Sequence, residues 1–335
     1  MEKIREQDYL FATARVRGRE KDMLGRERAE RMIEAKTPAD ALKVLYEMGY
    51  GNSEEQVAPW QFEHLLEEEQ QKTYSFVMEV APNQDLFKLF QYPADYHNLK
   101  VLLKAEFQNT DPTPLLMDSG SIEAQKMASA VRERNSMELT PDMAQGMADV
   151  LDAFARTGDP QQVDLILDRA CYHDMAAAAK STGNAYLQGY VRLLIDIINL
   201  KTFARMRRMG KGWDDFSRVF LPGGDISEKL FIASYEEDLL QFADRLLAYG
   251  LQDATSQGAQ ELKEKGRFTT LEKLCDNRLM GYIRNSKYVA FGLEPLVGYL
   301  LAKESEIKTV RIIMAGKLAA LPPEQIRERL RETYV

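Results

Sequence analysis

The chain has 335 residues, 45% of them hydrophobic and 29% charged, a balance that excludes a disordered, collagen-like or disulfide-scaffold protein. At this length two or three folding units are favoured over one. Lys and Arg number 44 against 52 Asp and Glu, for a net charge of -8, which argues against wrapping nucleic acid or lying on anionic lipid.

Along the chain, Met1 to Arg5 carries charge but no apolar segment, so neither a signal peptide nor an anchor is expected there. Thr37-Pro38 sets a capping hydroxyl before a proline at the first helical position, where the missing N–H has no partner to lose, and Thr140-Pro141 and Asp159-Pro160 repeat the device. Glu67-Glu68-Glu69 reads as a solvated helix face, and Asn109 to Pro114 as a break. Met143, Met147, Val150, Leu151 and Phe154 form an apolar stripe of helical period. The richest apolar stretch, Tyr186 to Ala204, is interrupted by Arg192, Asp196 and Lys201, so no membrane span is expected. Gly210 to Gly224 reads as a second break. Ser234 with Glu237, and Thr269 with Glu272, have capping-box spacing, and the stripe Leu239, Leu240, Ala243, Leu246, Leu247 stops at Gly250. Alternating strand patterns with hairpin turns are lacking, so the fold class is all-α.

An internal repeat stands out. Asp95, Asn98, Leu99, Lys100, Leu102 recur as Asp196, Asn199, Leu200, Lys201, Phe203 and as Glu306, Thr309, Val310, Arg311, Ile313. The copies lie about 100 residues apart, beyond the period of about 20 to 50 that marks a solenoid, so the repeats are domain-sized: 1–112, 113–212 and 213–335. Asp168 and Asp276 open comparable helices upstream of the second and third copies, with a weaker counterpart near Glu67. On a helix the acid and the polar residue three positions on share a face with the apolar residue, while the base lies on a flank. Two readings follow: an internal polar network that fixes helix register, or a surface that meets a partner.

Chemistry-bearing constellations are sparse. His64, His97 and His173 have no convergent partners in sequence, and Cys171 and Cys275 sit in apolar helical patterns as reduced core thiols. Pro222-Gly223-Gly224-Asp225 could form an anion-binding nest but lacks the Gly-Lys-Ser/Thr continuation of a phosphate loop, so a turn is expected. Arg205, Arg207, Arg208 and Lys211 crowd the end of a signature helix, where cations suit the helix dipole and could meet an acidic partner. Neither a catalytic site nor a metal or cofactor site is expected. A general helical scaffold fits the residues as read to this point.

Tyr96-His97-Asn98-Leu99-Lys100 with Asp95 resembles the C subunit of the bacterial and archaeal V-type (A-type) ATPases, the counterpart of the eukaryotic d subunit. Tyr9 with Ala14-Arg15-Val16-Arg17 and Glu20, Tyr50-Gly51, Leu221-Pro222-Gly223-Gly224, Glu306-Ile307 with Val310-Arg311, Gly316-Lys317 and Ile326-Arg327-Glu328-Arg329-Leu330 extend the likeness along the whole chain. Thr309 and Ala320 depart from it, standing where Asn and Gly are usual. The resemblance implies three similar helical domains around a pseudo-threefold axis, forming a funnel. It also implies a non-catalytic, cytoplasmic component, peripheral to the membrane, that joins the central shaft, made of the D and F subunits, to the rotor ring of proteolipid subunits. Ion transport would then be coupled to ATP hydrolysis or synthesis, with the transported ion, proton or sodium, set by other components.

Overall fold

Thr37-Pro38 and Thr140-Pro141 each open a helix as their chemistry requires. In the computed structural model of the chain, which describes residues 5–51 and 57–335, the Thr37 hydroxyl accepts the Asp40 N–H and the Thr140 hydroxyl that of Met143, both at 3.1 Å, with proline following. Of the N-terminal stretch read as neither signal nor anchor, residues 1–4 lie outside the described part.

Helices run α1 Leu10–Glu20, α2 Arg26–Glu34, α3 Pro38–Glu47 and α4 Phe62–Val80, then α5 Tyr92–Gln108, α6 Ala124–Glu133, α7 Pro141–Thr157 and α8 Gln161–Ser181. They continue as α9 Ala185–Arg208, α10 Trp213–Val219, α11 Glu228–Ala233 and α12 Leu239–Arg245, and close with α13 Gln252–Lys265, α14 Thr269–Arg284, α15 Leu293–Leu318 and α16 Pro323–Arg329. Strands are absent among the described residues, so the class is all-α. None of the described helices is long and apolar enough to cross a membrane.

The chain divides into two compact units, one of residues up to Gln84 with Leu239–Val335 and one of Asp85–Asp238. In the first, Met32, Ile33, Leu42, Leu45 and Leu66 of α2 to α4 share a core with Ile307, Val310, Ile313 and Met314 of α15, so residues far apart in sequence build one interior. In the second, Phe203 of α9 is the hub of an aromatic cluster, with ring centroids 5.5 Å from Phe216 and 5.3 Å from Phe231. Phe107 and Phe154 stack at 3.7 Å, which ties the end of α5 to α7.

Four local expectations are corrected. Pro160 is itself the N-cap of α8, while Asp159 accepts the Gln161 N–H at 2.9 Å from just outside. Ser234 closes α11 instead of opening a helix, because the preceding Glu228–Ala233 turn already has a cap in Ser227. Thr269 is the first helical residue of α14, after Phe268, and Glu261 of α13 accepts the Thr270 N–H at 2.6 Å in place of a capping box. The break from Gly210 to Gly224 contains α10, whose Phe216 is fully buried.

The three signature helices α5, α9 and α15 end alike. At the same offset from the signature acid stand Asn109 (φ 52°), Gly210 (φ 68°) and Ala320 (φ 53°), each in the left-handed region. Behind each of them a six-residue closing bond forms, from Thr110 N–H to Ala105 O, Lys211 N–H to Met206 O and Leu321 N–H to Gly316 O, at 3.0, 3.0 and 2.9 Å. This Schellman closure suits Gly best, Asn next and Ala poorly, because a Cβ crowds the carbonyl in that region.

Candidate functional site

The signature acids and amides are buried: Asp95, Asn98 and Asn199 are 0% exposed and Asp196 2%. A buried polar side chain needs partners, and in the first two copies the loop after the signature helix supplies them. Asn98 donates Nδ2 to the Met117 carbonyl and accepts the Met117 N–H at Oδ1, both at 2.8 Å. Asn199 does the same with Leu221, at 2.8 and 2.9 Å. Asp95 accepts the Ser121 hydroxyl at 2.6 Å and the Ile122 N–H at 3.0 Å. Asp196 accepts the N–H groups of Asp225 at 3.0 Å and Ile226 at 2.9 Å. The Pro222-Gly223-Gly224-Asp225 segment is the expected turn, and its Asp225 N–H, with that of the following Ile226, holds the chain's own Asp196.

Close approach demands glycine in both loops. A Cβ on Gly120 would lie 2.2 Å from Asp95 Oδ1, and one on Gly224 2.1 Å from Asp196 Oδ1. Burial raises both carboxyls above the ordinary range against the pull of their hydrogen bonds, Asp196 to about 6.

In the third copy the donors come from elsewhere. Glu306 accepts the Leu24 N–H at Oε2 (2.6 Å), the Tyr50 hydroxyl at Oε1 (2.6 Å) and the ammonium of Lys303 (2.6 Å). Lys303 also pairs with Glu69 at 2.7 Å and lies over the Tyr50 ring at 4.8 Å. Burial alone would lower the Lys303 pKa, but Glu306 and Glu69 outweigh it and hold the ammonium above its ordinary value. Glu69 therefore faces this network, not solvent as its acidic run suggested. Thr309 turns back on its own helix, donating to Ser305 O at 3.0 Å, and makes no loop clamp.

The signature bases sit on flanks. Lys100 pairs with Asp168, and Arg311 forms a bidentate pair with Glu63, Nε to Oε1 and Nη2 to Oε2, both at 2.9 Å; the acid of α4 that meets the third base is thus Glu63, one turn before Glu67. Lys201 is half-buried. Within the basic cluster, Arg205, Arg208 and Lys211 are exposed, beside exposed Met209 and Trp213. Arg207 is turned inward, donating to the Glu237 carbonyl with its guanidinium 5.2 Å from the Phe203 ring centroid.

The remaining candidates have local partners: His97 with Leu115 O at 2.9 Å, His173 with Asp142 at 2.9 Å and His64 with Glu68 at 3.3 Å. Cys171 and Cys275 are buried and not joined in a disulfide, and burial pushes the Cys171 thiol up. Among the described residues no group of His, Cys, Asp or Glu is placed to hold a metal. Sequence reasoning missed Lys303 and Asp174, the latter a buried acid of α8 that accepts the hydroxyls of Tyr96 and Thr140, and it gave Tyr50 no polar partner. A base three residues before Glu306 on the same helix face was the available signal for Lys303.

Residues 12–329 match the family model described as ATP synthase (C/AC39) subunit. The chain is similar to the C subunit of the V-type sodium ATPase of Enterococcus hirae, 25% identical over 98% of this chain and 99% of the relative. It is also similar to the C subunit of the A-type ATP synthase of Methanothermobacter thermautotrophicus, 25% identical over 96% and 87% of the two chains, and to that of Methanocaldococcus jannaschii, 21% identical over 96% and 86%.

Proposed function

The chain belongs to the ATP synthase (C/AC39) subunit family, and from that premise we propose that it is the non-catalytic central-stalk adaptor of a rotary V-type ATPase. In this reading it joins the shaft, made of the D and F subunits, to the membrane rotor ring, so that ATP hydrolysis drives ion transport or ion flow drives ATP synthesis. It works on the cytoplasmic side, peripheral to the membrane through the ring. The observation that carries the reading is the match along the length of the chain to relatives named as C subunits of such complexes.

The clamps support it physically. A torque-bearing part must not yield at its loops, and Asp95 with Asn98 and Asp196 with Asn199 tie each loop to a core helix at four points. The three-domain organisation, 1–112, 113–212 and 213–335, belongs to the same proposal and is supported by the shared left-handed closure of α5, α9 and α15. For the shaft contact the proposal keeps Arg205, Arg207, Arg208 and Lys211, with Arg207 bracing the segment from within while the other three face outward.

The test is reconstitution. Vesicles rebuilt without this chain should not pump ions, while detached head and shaft continue to hydrolyse ATP; pumping at the parental rate would refute the coupling role. Reversing Arg205, Arg208 and Lys211 to Glu should weaken shaft binding more at low than at high ionic strength.

A further inference from the structure

The broken clamp of the third copy leaves a cavity. In the first two copies a buried Asn fills the space between signature helix and loop and bonds the loop backbone twice. At the corresponding place Thr309 is shorter and satisfies itself on Ser305. The strap that passes it, Leu330 to Thr333, is drawn instead to α14: Asn277 accepts the Glu332 N–H at 2.9 Å, and Arg284 donates to the Thr333 carbonyl. Between them opens a cavity of about 450 Å³ with Thr309 in its lining.

Its lining is cationic. Arg26, Lys273, Arg284, Arg327 and Arg331 face only two carboxylates, Glu30 and Glu332. Both acids are already committed, Glu30 to Arg327 at 2.8 Å and Glu332 to Arg284 at 2.6 Å, and Arg331 pairs with Asp276 at 2.9 Å. That leaves Arg26 and Lys273, neither of which has an ion-pair or hydrogen-bond partner among the described residues. Half-buried Lys273 and solvent-facing Arg26 thus line the same space with no carboxylate paired to either.

We infer that this cavity binds a small phosphate-bearing anion, held by Arg26 and Lys273 with the paired arginines as a positive surround. The volume is that of a small-molecule site, not of a protein surface, and an arginine fork with a lysine point charge is the pairing that phosphate oxygens recognise. This site is independent of the rotary role.

Titration calorimetry of the purified chain at low salt, with inorganic phosphate, ADP and adenosine as separate probes, tests it. Saturable, salt-sensitive binding of phosphate or ADP but not of adenosine is expected, and whichever binds tighter identifies free phosphate or a phosphate ester as the natural form. Lys273→Ala and Arg26→Ala should each weaken binding about tenfold or more, the weight of one charge-assisted hydrogen bond. Thr309→Asn, which gives the third copy the amide that clamps the loop in the first two, should draw the strap toward α15 and weaken binding, with the urea melt retained. Failure of every phosphate-bearing probe to saturate, or binding that folded Lys273→Ala and Arg26→Ala leave unchanged, would overturn the assignment.

Discussion

In α9 the buried acid is Asp196, whose two oxygens take adjacent N–H groups of a single turn, Asp225 and Ile226. In α15 it is Glu306, one methylene longer, whose donors are a lysine of its own helix, a tyrosine before α4 and one N–H just ahead of α2. The first arrangement asks only that one loop come close, and Gly224 permits it. The second asks that α15 and two distant segments be in place together, with Glu69 of α4 as a further anion. A carboxylate satisfied by neighbouring backbone is a local device, whereas one satisfied by a buried ammonium makes distant parts of the chain conditional on each other.

The largest expected effect comes from breaking the second arrangement. Lys303→Met leaves Glu306 and Glu69 facing each other with no ammonium between them and should cost about 3–5 kcal/mol in urea unfolding. Adding Glu306→Leu should recover part of that loss; a single mutant within about 1 kcal/mol of the parent would show that the network does not couple the segments. Next comes Gly224→Ala, whose methyl would intrude on Asp196 and should cost about 1–3 kcal/mol. Gly212→Ala is the control, since nothing lies within 4 Å of its Cβ and its φ is -79°.

A smaller difference should appear with pH. Because the folded Asp196 carboxyl is raised to about 6, between about pH 4 and 6 the native state holds a proton that the unfolded chain has released. The group's contribution is therefore full below the unfolded carboxyl pKa of about 4 and is lost as pH rises through about 6. Acidifying from pH 7 to 5.5 should stabilise the parent relative to Asp196→Ala by roughly 1 kcal/mol; paired thermal melts with equal slopes against pH would show that Asp196 does not carry the dependence. Smallest is the helix end: Ala320→Gly should stabilise by about 1 kcal/mol and Gly210→Ala do the reverse, because both positions are left-handed.

The all-α class and the signature residues were legible because their signals are short-range. Caps act within one turn, and the apolar spacing of Leu99, Leu200 and Val310 declares a buried face directly. The loop clamps were half legible: burial of Asp95 and Asn98 follows from helical phase, but their partners, 19 to 27 residues on, carry no motif beyond a glycine. The third copy's partners were not legible, since Leu24 lies 282 residues and Tyr50 256 residues from Glu306. Ser234 misled for a different reason. Its spacing to Glu237 is right for a cap, but the buried Tyr235 and the packing of Phe231 fix it as the end of the preceding helix. Counting charges likewise could not tell that Arg207 points inward among exposed arginines.

The dependence of Glu306 on Leu24 also sets a clock. At about 5–20 residues per second a ribosome makes the Asp225 and Ile226 donors within a few seconds of Asp196, but Leu24 is made roughly 15 to 60 seconds before Glu306. Through that interval the apolar faces of α2 and α3 lack the part of their cover that Ile307, Val310, Ile313 and Met314 later supply. The nascent chain is thus most in need of chaperones at its beginning, while residues 85–238 can finish folding on the way out.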